Sequence, residues 1–346
     1  IMPVFFLMGG FLAAQLFARL GPAEFLKHRA RRLLVPFAFA CVVILPLDLY
    51  AWLLGWVVAG RIPLQKLRSL KLGETGRDLW GVAHLWFLEY LFVFCAGAVI
   101  AHWGWKRWNL RSVRPRLLAQ LHSSVRFPLL IVLACACSVA ALYCDPQLVI
   151  GFRHAWQPLP ANLLYYAPCF AAGWWLLHLR NRDRHAAWIC AAGIVASPLL
   201  IAAALPLIHA YAAGGLAGAQ RWVLVVLFAA SGWTLALGAM RLSLIPCPAP
   251  PRAVQYVSQA SFWMYLFHHP AVGLAQVALH GSPLTAGPKF LLVWLSATAL
   301  SLLTYAAFVK RTWIGTLLNG RREPQSPTMP AIPATREEPQ TARRAA

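Results

Sequence analysis

Long apolar windows recur near residues 1–18, 33–58, 83–102, 127–144, 161–179, 187–209, 222–240, 259–280 and 287–309, with short polar stretches between them. A helix that crosses a bilayer needs about 20 apolar residues. Hydrocarbon offers no water to a free amide, so each span must bond its own backbone, which a helix does. The pattern therefore predicts an all-α, polytopic integral membrane helix bundle of about nine spans. Prolines and glycines inside the windows (Gly9, Gly10, Pro36, Pro46, Pro168, Pro198, Pro206, Pro270) do not argue against this, because neighbouring helices re-satisfy the freed carbonyls. No repeat of fixed period and no pair of broken helices in matching halves is visible, which weighs against the common transporter folds.

Composition agrees with the pattern. Charged residues make up 12% of the chain and hydrophobic ones 60%, whereas a soluble domain carries roughly 25% charged residues. No separate soluble domain of ordinary size fits in what remains. The formal charge of +21 does not indicate nucleic acid, because Lys and Arg fall between spans rather than along one groove or helix. The stretches 27–32, 105–116 and 180–185, the surroundings of Arg241 and Arg252, and the chain from Lys310 are basic. Those around Asp145, Gly214 and Pro283 are poor in charge. This alternation predicts the basic set, with the C-terminus, in the cytoplasm and residue 1 outside. The basic loop from Arg61 to Asp78 breaks the rule, so either one span is miscounted or its cations serve an anionic ligand. Residues 316–346, rich in Pro, Arg, Glu, Ser and Thr, are expected to be a disordered cytoplasmic tail after a membrane domain of 1–315. The eight cysteines have no C-x-x-C partner and read as small buried apolar residues. No metal and no bound cofactor is expected. IMPVFFLMGG begins inside an apolar stretch with no cleavable signal, and the expectation is that one helix precedes it.

Ionisable residues inside spans are expensive, roughly 2.5–3.5 kcal/mol on insertion scales, and each is a functional candidate. They are Asp48, Glu89, His268 and His269, with His84 at the head of its helix. His268 and His269 point about 100° apart on a helix, so both cannot face one site directly. Pro270 has no amide hydrogen and frees carbonyls at Tyr265 and Leu266, which a histidine on another helix or a water can satisfy. His84, beside a loop open to water, suits a general base; the plain alternative is an interfacial histidine beside Trp86 in an aromatic belt. Asp48 and Glu89 read equally as partners of a basic side chain on a neighbouring helix. Lys27, Arg29, Arg31 and Arg32 are either a stop-transfer anchor or a clamp for a phosphorylated ligand.

PVFFLMGGFLAAQLF, a basic loop ending RRLLVP, HLWFLEYL and ASFWMYLFHHP together resemble the membrane acyltransferase type 3 family, most closely its glucan biosynthesis protein C branch. The resemblance runs to about residue 315. It implies a bundle of about ten helices that moves an acyl group, succinyl or acetyl, from cytoplasmic acyl-CoA to a hydroxyl of a periplasmic glycan. The implied setting is a bacterial inner membrane. Residue by residue, His84 and Trp86 match H-L-W-F, and His268, His269 and Pro270 match H-H-P. The expected catalytic residues are thus His84, His268 and His269. The expected donor-binding residues are Arg29, Arg31 and Arg32, with Trp86, Glu89, Trp263 and Tyr265 lining the substrate cavity. The arginine and histidine thought central in the family would precede Ile1, so an inactive or weakly active fragment is expected. The partners implied are acyl-CoA, the glycan and lipid. The oligomeric state is not legible. The competing readings are a proton-coupled transporter or flippase for an anionic glycan or lipid, and a scaffold whose polar residues only lock helices together.

Overall fold

A computed structural model describes residues 1–69, 81–107, 123–150, 155–177, 184–216, 218–245 and 249–319. The described elements are helical: α1 Met2–Leu20, α2 Pro22–Val58, α3 Trp86–Arg107, α4 Ser123–Cys144, α5 Pro160–Leu176, α6 Arg184–Ala212, α7 Ala219–Ser243, α8 Arg252–Ala278, α9 Ala286–Thr304 and a terminal α10 Trp313–Asn319. A 3-10 turn, Ala83–Leu85, leads into α3, and a π-helical segment, Tyr305–Val309, follows α9. The chain is an all-α polytopic membrane bundle. Among the described residues, six segments are long and apolar enough to cross a bilayer on their own: α1, α2, Ala83–Arg107, Ala192–Ala212 within α6, α7 and Ala286–Val309. The windows of α4, α5 and α8 fall short of that standard. The described apolar part of α4 is Leu129–Cys144, α5 has 17 residues, and α8 carries Arg252, Gln255, Gln259, His268 and His269.

The basic stretch 27–32, expected as a loop, is instead the opening of α2. Gly21, at φ 74°, breaks α1, and Pro22 at the first helical position starts α2. Ala, Leu, Lys and Arg then carry the helix on without a break. At 37 residues and about 1.5 Å per residue, α2 is about 55 Å long and outreaches a hydrocarbon core of about 30 Å. Its first turns therefore project beyond the apolar slab. Successive spans run in opposite directions, so the ends bearing Arg19, Lys27–Arg32, Lys106, Arg107, Arg241 and Arg252 share one side, here called the basic end. Residues 316–319 belong to α10; the rest of the stretch expected as a tail, 320–346, lies outside the described residues, as do 70–78 of the Arg61–Asp78 loop.

Two apolar clusters fill the bundle. One joins α2, α3, α8 and α9 through Phe25, Ile44, Leu88, Cys95, Trp263, Leu266 and Ala297. The other joins α1, α4, α5 and α7 through Phe6, Leu7, Leu142, Tyr166, Val225 and Trp233. Trp86, Phe87 and Phe94 of α3 pack against both. Phe6 makes an edge contact with Phe94 at 5.4 Å and lies 4.6 Å from the Tyr166 ring. Thus α3 is the partition on which both halves of the bundle rest.

Lipid chains are as apolar as leucine, so helices associate in a membrane by close packing and hydrogen bonds. The α1–α5 crossing shows the first device: a methyl on Gly10 would overlap the carbonyl of Phe170, and one on Gly173 would overlap the carbonyl of Leu7. The α6–α7 contact shows the second, Ser197 Oγ and Ser231 Oγ standing 2.9 Å apart. Trp233 Nε1 adds a bond from α7 to Ser138 Oγ of α4 at 3.1 Å. Replacing Gly10 or Gly173 by alanine is expected to lower stability in detergent by about 2 kcal/mol or more. The double variant should cost clearly less than the two added, because one methyl already separates the same pair of helices; thermal unfolding of the three variants checks this.

Candidate functional site

Pro270 lies inside α8 and gives no N–H to the carbonyl of Leu266 one turn earlier. His84 Nε2 stands 2.9 Å from that oxygen. A carbonyl only accepts, so Nε2 carries the hydrogen and His84 Nδ1 presents a lone pair. His84 is 6% exposed, and its Nδ1 is buried with no hydrogen-bond partner among the described residues. The carbonyl of Tyr265, one residue earlier, lies 2.7 Å from His268 Nδ1, which leaves Nε2 as the basic nitrogen of that ring. The Leu266 carbonyl released by the proline is thus met by a histidine from another element, as the sequence predicts, whereas the Tyr265 carbonyl takes its contact from His268 of the same helix. Tyr265 returns the link by donating its hydroxyl to the His84 carbonyl at 2.7 Å.

His269 turns toward α2. Its Nδ1 lies 2.6 Å from Asp48 Oδ1 and 3.2 Å from the Trp52 indole nitrogen. One ring nitrogen cannot donate to the carboxylate and accept from the indole at once. The shorter, charge-assisted contact prevails: Nδ1 donates to Asp48, and Trp52 packs on the ring at 5.4 Å. Asp48 is 3% exposed, so this bond supplies the partner that its burial requires. Adjacent in sequence, His268 and His269 still meet around a third ring. His84 is stacked on His269 at 5.0 Å and meets His268 edge-on at 5.1 Å. Three imidazoles from two elements therefore gather, with one of them, His269, bonded to a carboxylate from a third.

Ala83, just before His84, has φ 45°, a left-handed conformation uncommon outside glycine and costing about 1–3 kcal/mol. At this turn Val82 and Ala83 line a cavity of about 330 Å³ while the His84 ring meets α8. The cavity lies between α1, α3, α5 and α7, and its wall includes Trp86, Tyr90, Gln157, Asn162, Tyr166 and Ser231. Among the described residues that line it, none is Asp, Glu, Lys or Arg. Of the residues expected in a substrate cavity, Trp86 lines it. Trp263 instead bonds Thr304 Oγ1 at 3.0 Å and stacks on Phe267. Tyr265 belongs to the histidine cluster, and Glu89 is half-buried on α3 with no ion pair among the described residues.

At the basic end, Arg29 is half-buried, with its guanidinium 5.7 Å from the Phe25 ring centre and its Nε buried with no hydrogen-bond partner among the described residues. Arg32 donates to the Leu318 carbonyl of α10 at 3.3 Å. Arg31 is exposed. The three do not meet the histidines; they mark the other end of α2.

Sequence reasoning missed the bond between Asp48 and His269, 221 positions apart, together with the cavity walls from α5 and α7. The one available signal was two polar residues, Asp48 and Trp52, one turn apart in an apolar window. No curated protein and no solved structure matches the chain. The family model described as "Acyltransferase domain" matches residues 1–309, a span that takes in the histidine cluster, the cavity and the arginines of α2. The chain belongs to this acyltransferase family.

Proposed function

We propose that the protein is an O-acyltransferase of a bacterial inner membrane that carries a succinyl or acetyl group from acyl-CoA to a hydroxyl of a periplasmic glycan, as in the glucan biosynthesis protein C branch. The observation that carries this reading is the family match over residues 1–309. The site chemistry supports it at both ends. Arg29, Arg31 and Arg32 at the basic end, taken as cytoplasmic by the positive-inside rule, suit the phosphates of coenzyme A. The opposite cavity, whose described wall includes Trp86, Tyr90, Tyr165, Tyr166, Asn162 and Gln157, suits a polyhydroxy acceptor. Aromatic faces take the sugar's C–H surface, and amides and phenols take its hydroxyls.

In the reaction the acceptor oxygen attacks the thioester carbonyl, the new ester bond forms, the carbon–sulfur bond breaks, and coenzyme A leaves as the thiol. The acceptor, held in the cavity, extends its reacting hydroxyl past the Val82–Ala83 turn that borders both sites, and the cluster takes its proton and passes it to the departing sulfur. His268 is the exposed member, with its Nε2 left basic by the bond to Tyr265, and Asp48 behind it offsets the positive charge formed on the imidazoles. The row from His268 to Asp48 also favours a second reading, proton-coupled transport of a glycan.

Membranes incubated with labelled succinyl-CoA or acetyl-CoA, and their glycans analysed by mass, test the proposal. A gain of acyl mass is expected, falling about 100-fold in His268→Ala. Glycan movement driven by a proton gradient with no acyl product would replace the enzyme by the transporter. Trp86→Ala is expected to raise the acceptor KM while leaving the donor KM unchanged. Pro270→Ala restores an N–H that competes for the Leu266 carbonyl. It should melt no lower than the parent yet lose acyl transfer, whereas a merely structural cluster would leave transfer intact.

A further inference from the structure

We propose that Asp48, His84 and His269 form a binding site for one divalent transition-metal ion, with Zn²⁺ the best match. The sequence gives no hint of it, since the three residues come from α2, the turn before α3, and α8, and no short spacing joins them. Folded, each offers a donor atom, and the donor atoms all lie within 4.8 Å of one another. An ion with bonds of about 2.0–2.1 Å spaces tetrahedral donors roughly 3.3 Å apart. His84 must therefore close by at most about 1.5 Å, and because its ring lies at 18° to that of His269, one of the two rings must also turn so that both lone pairs meet the ion. Asp48 and His269, 2.6 Å apart, must open slightly as the ion displaces the proton between them.

Three further observations support the site. His84, 94% buried by its 6% exposure, keeps a nitrogen with no hydrogen-bond partner among the described residues, an arrangement that costs free energy unless something occupies the lone pair. The same ring donates its other nitrogen to the Leu266 carbonyl, the outer support usual for a metal-ligating histidine, which fixes its tautomer and direction. The donor set then selects the ion. Two imidazoles and one carboxylate suit Zn²⁺ and its neighbours in the first transition row. Ca²⁺ and Mg²⁺ require mostly oxygen donors, and no cysteine belongs to the group. Three protein ligands leave a fourth position for water or substrate, the pattern of an open rather than a purely structural site. The charge also improves, because a divalent ion beside the buried Asp48 replaces a single proton as its counter-charge.

The test uses the full chain in detergent with any polyhistidine tag removed, stripped with a chelator and dialysed against Zn²⁺ or Co²⁺ alone. Metal is counted by elemental mass spectrometry, and Co²⁺ is also read by its visible absorption. One equivalent per chain is expected, with the intense bands of a four-coordinate cobalt site. Asp48→Asn, equal in volume, and His84→Gln should each weaken binding by at least 10-fold, while His268→Ala keeps it. Size-exclusion elution reports folding, and if His84→Gln fails to fold then Asp48→Asn alone decides. Absence of a bound equivalent in the parent, or full retention of metal in folded Asp48→Asn, overturns the site. These readouts involve no turnover, so they stand apart from the outcome of the acyl-transfer assay.

Discussion

A missing hydrogen bond organises the centre of this molecule. In hydrocarbon an unsatisfied carbonyl costs several kcal/mol, and Pro270 creates such a carbonyl at Leu266. The protein answers with His84, whose Nε2 lies 2.9 Å from the oxygen, and so fixes the turn before α3 against the middle of α8. Everything at the cluster depends on that bond. It sets the tautomer of His84, leaves Nδ1 aprotic, and brings the ring to stack on His269 at 5.0 Å. The carbonyl of Tyr265 orients His268 by the same logic. A helix-breaking residue thus converts one backbone acceptor into an anchor for an imidazole, and the neighbouring carbonyl of Tyr265 holds a second.

The rest of the bundle holds this arrangement in place without a hydrophobic drive between helices. The glycines at the α1–α5 crossing let backbones touch where any side chain would hold them apart. The serine contact between α6 and α7 ties another pair. Between the two apolar clusters stands α3, with Trp86, Phe87 and Phe94 touching both. The turn at its head consequently has two faces: Val82 and Ala83 belong to the cavity wall and His84 to the cluster. A left-handed residue at Ala83 is the local cost of that division.

Asp48 shows why a charged residue in a span is informative. Its burial would be prohibitive alone, and the 2.6 Å contact to His269 Nδ1 gives it a partner across α2 and α8. Glu89, by contrast, is half-buried and stays outside the cluster. Two carboxylates with similar sequence surroundings take different roles because one meets a histidine and the other does not.

Much of the architecture is legible along the chain, because a bilayer imposes length and apolarity on each span separately. The windows locate the helices, the arginines mark one end, and H-H-P announces both a kink and two carbonyls in need of donors. Pro270 even foretells that the Leu266 carbonyl needs a donor from elsewhere, a histidine or a water, and the fold supplies His84. The partner of Asp48 is not legible, nor is the side of α3 on which the cavity opens, nor that His84, Asp48 and His269 share one place. Those are facts of helix packing, set by where glycines and serines permit contact, and periodicity along one helix carries no record of which helix lies beside it. The basic stretch 27–32 is the intermediate case: its charge is plain in sequence, but only its continuity with α2 turns a loop into a helix that reaches beyond the membrane.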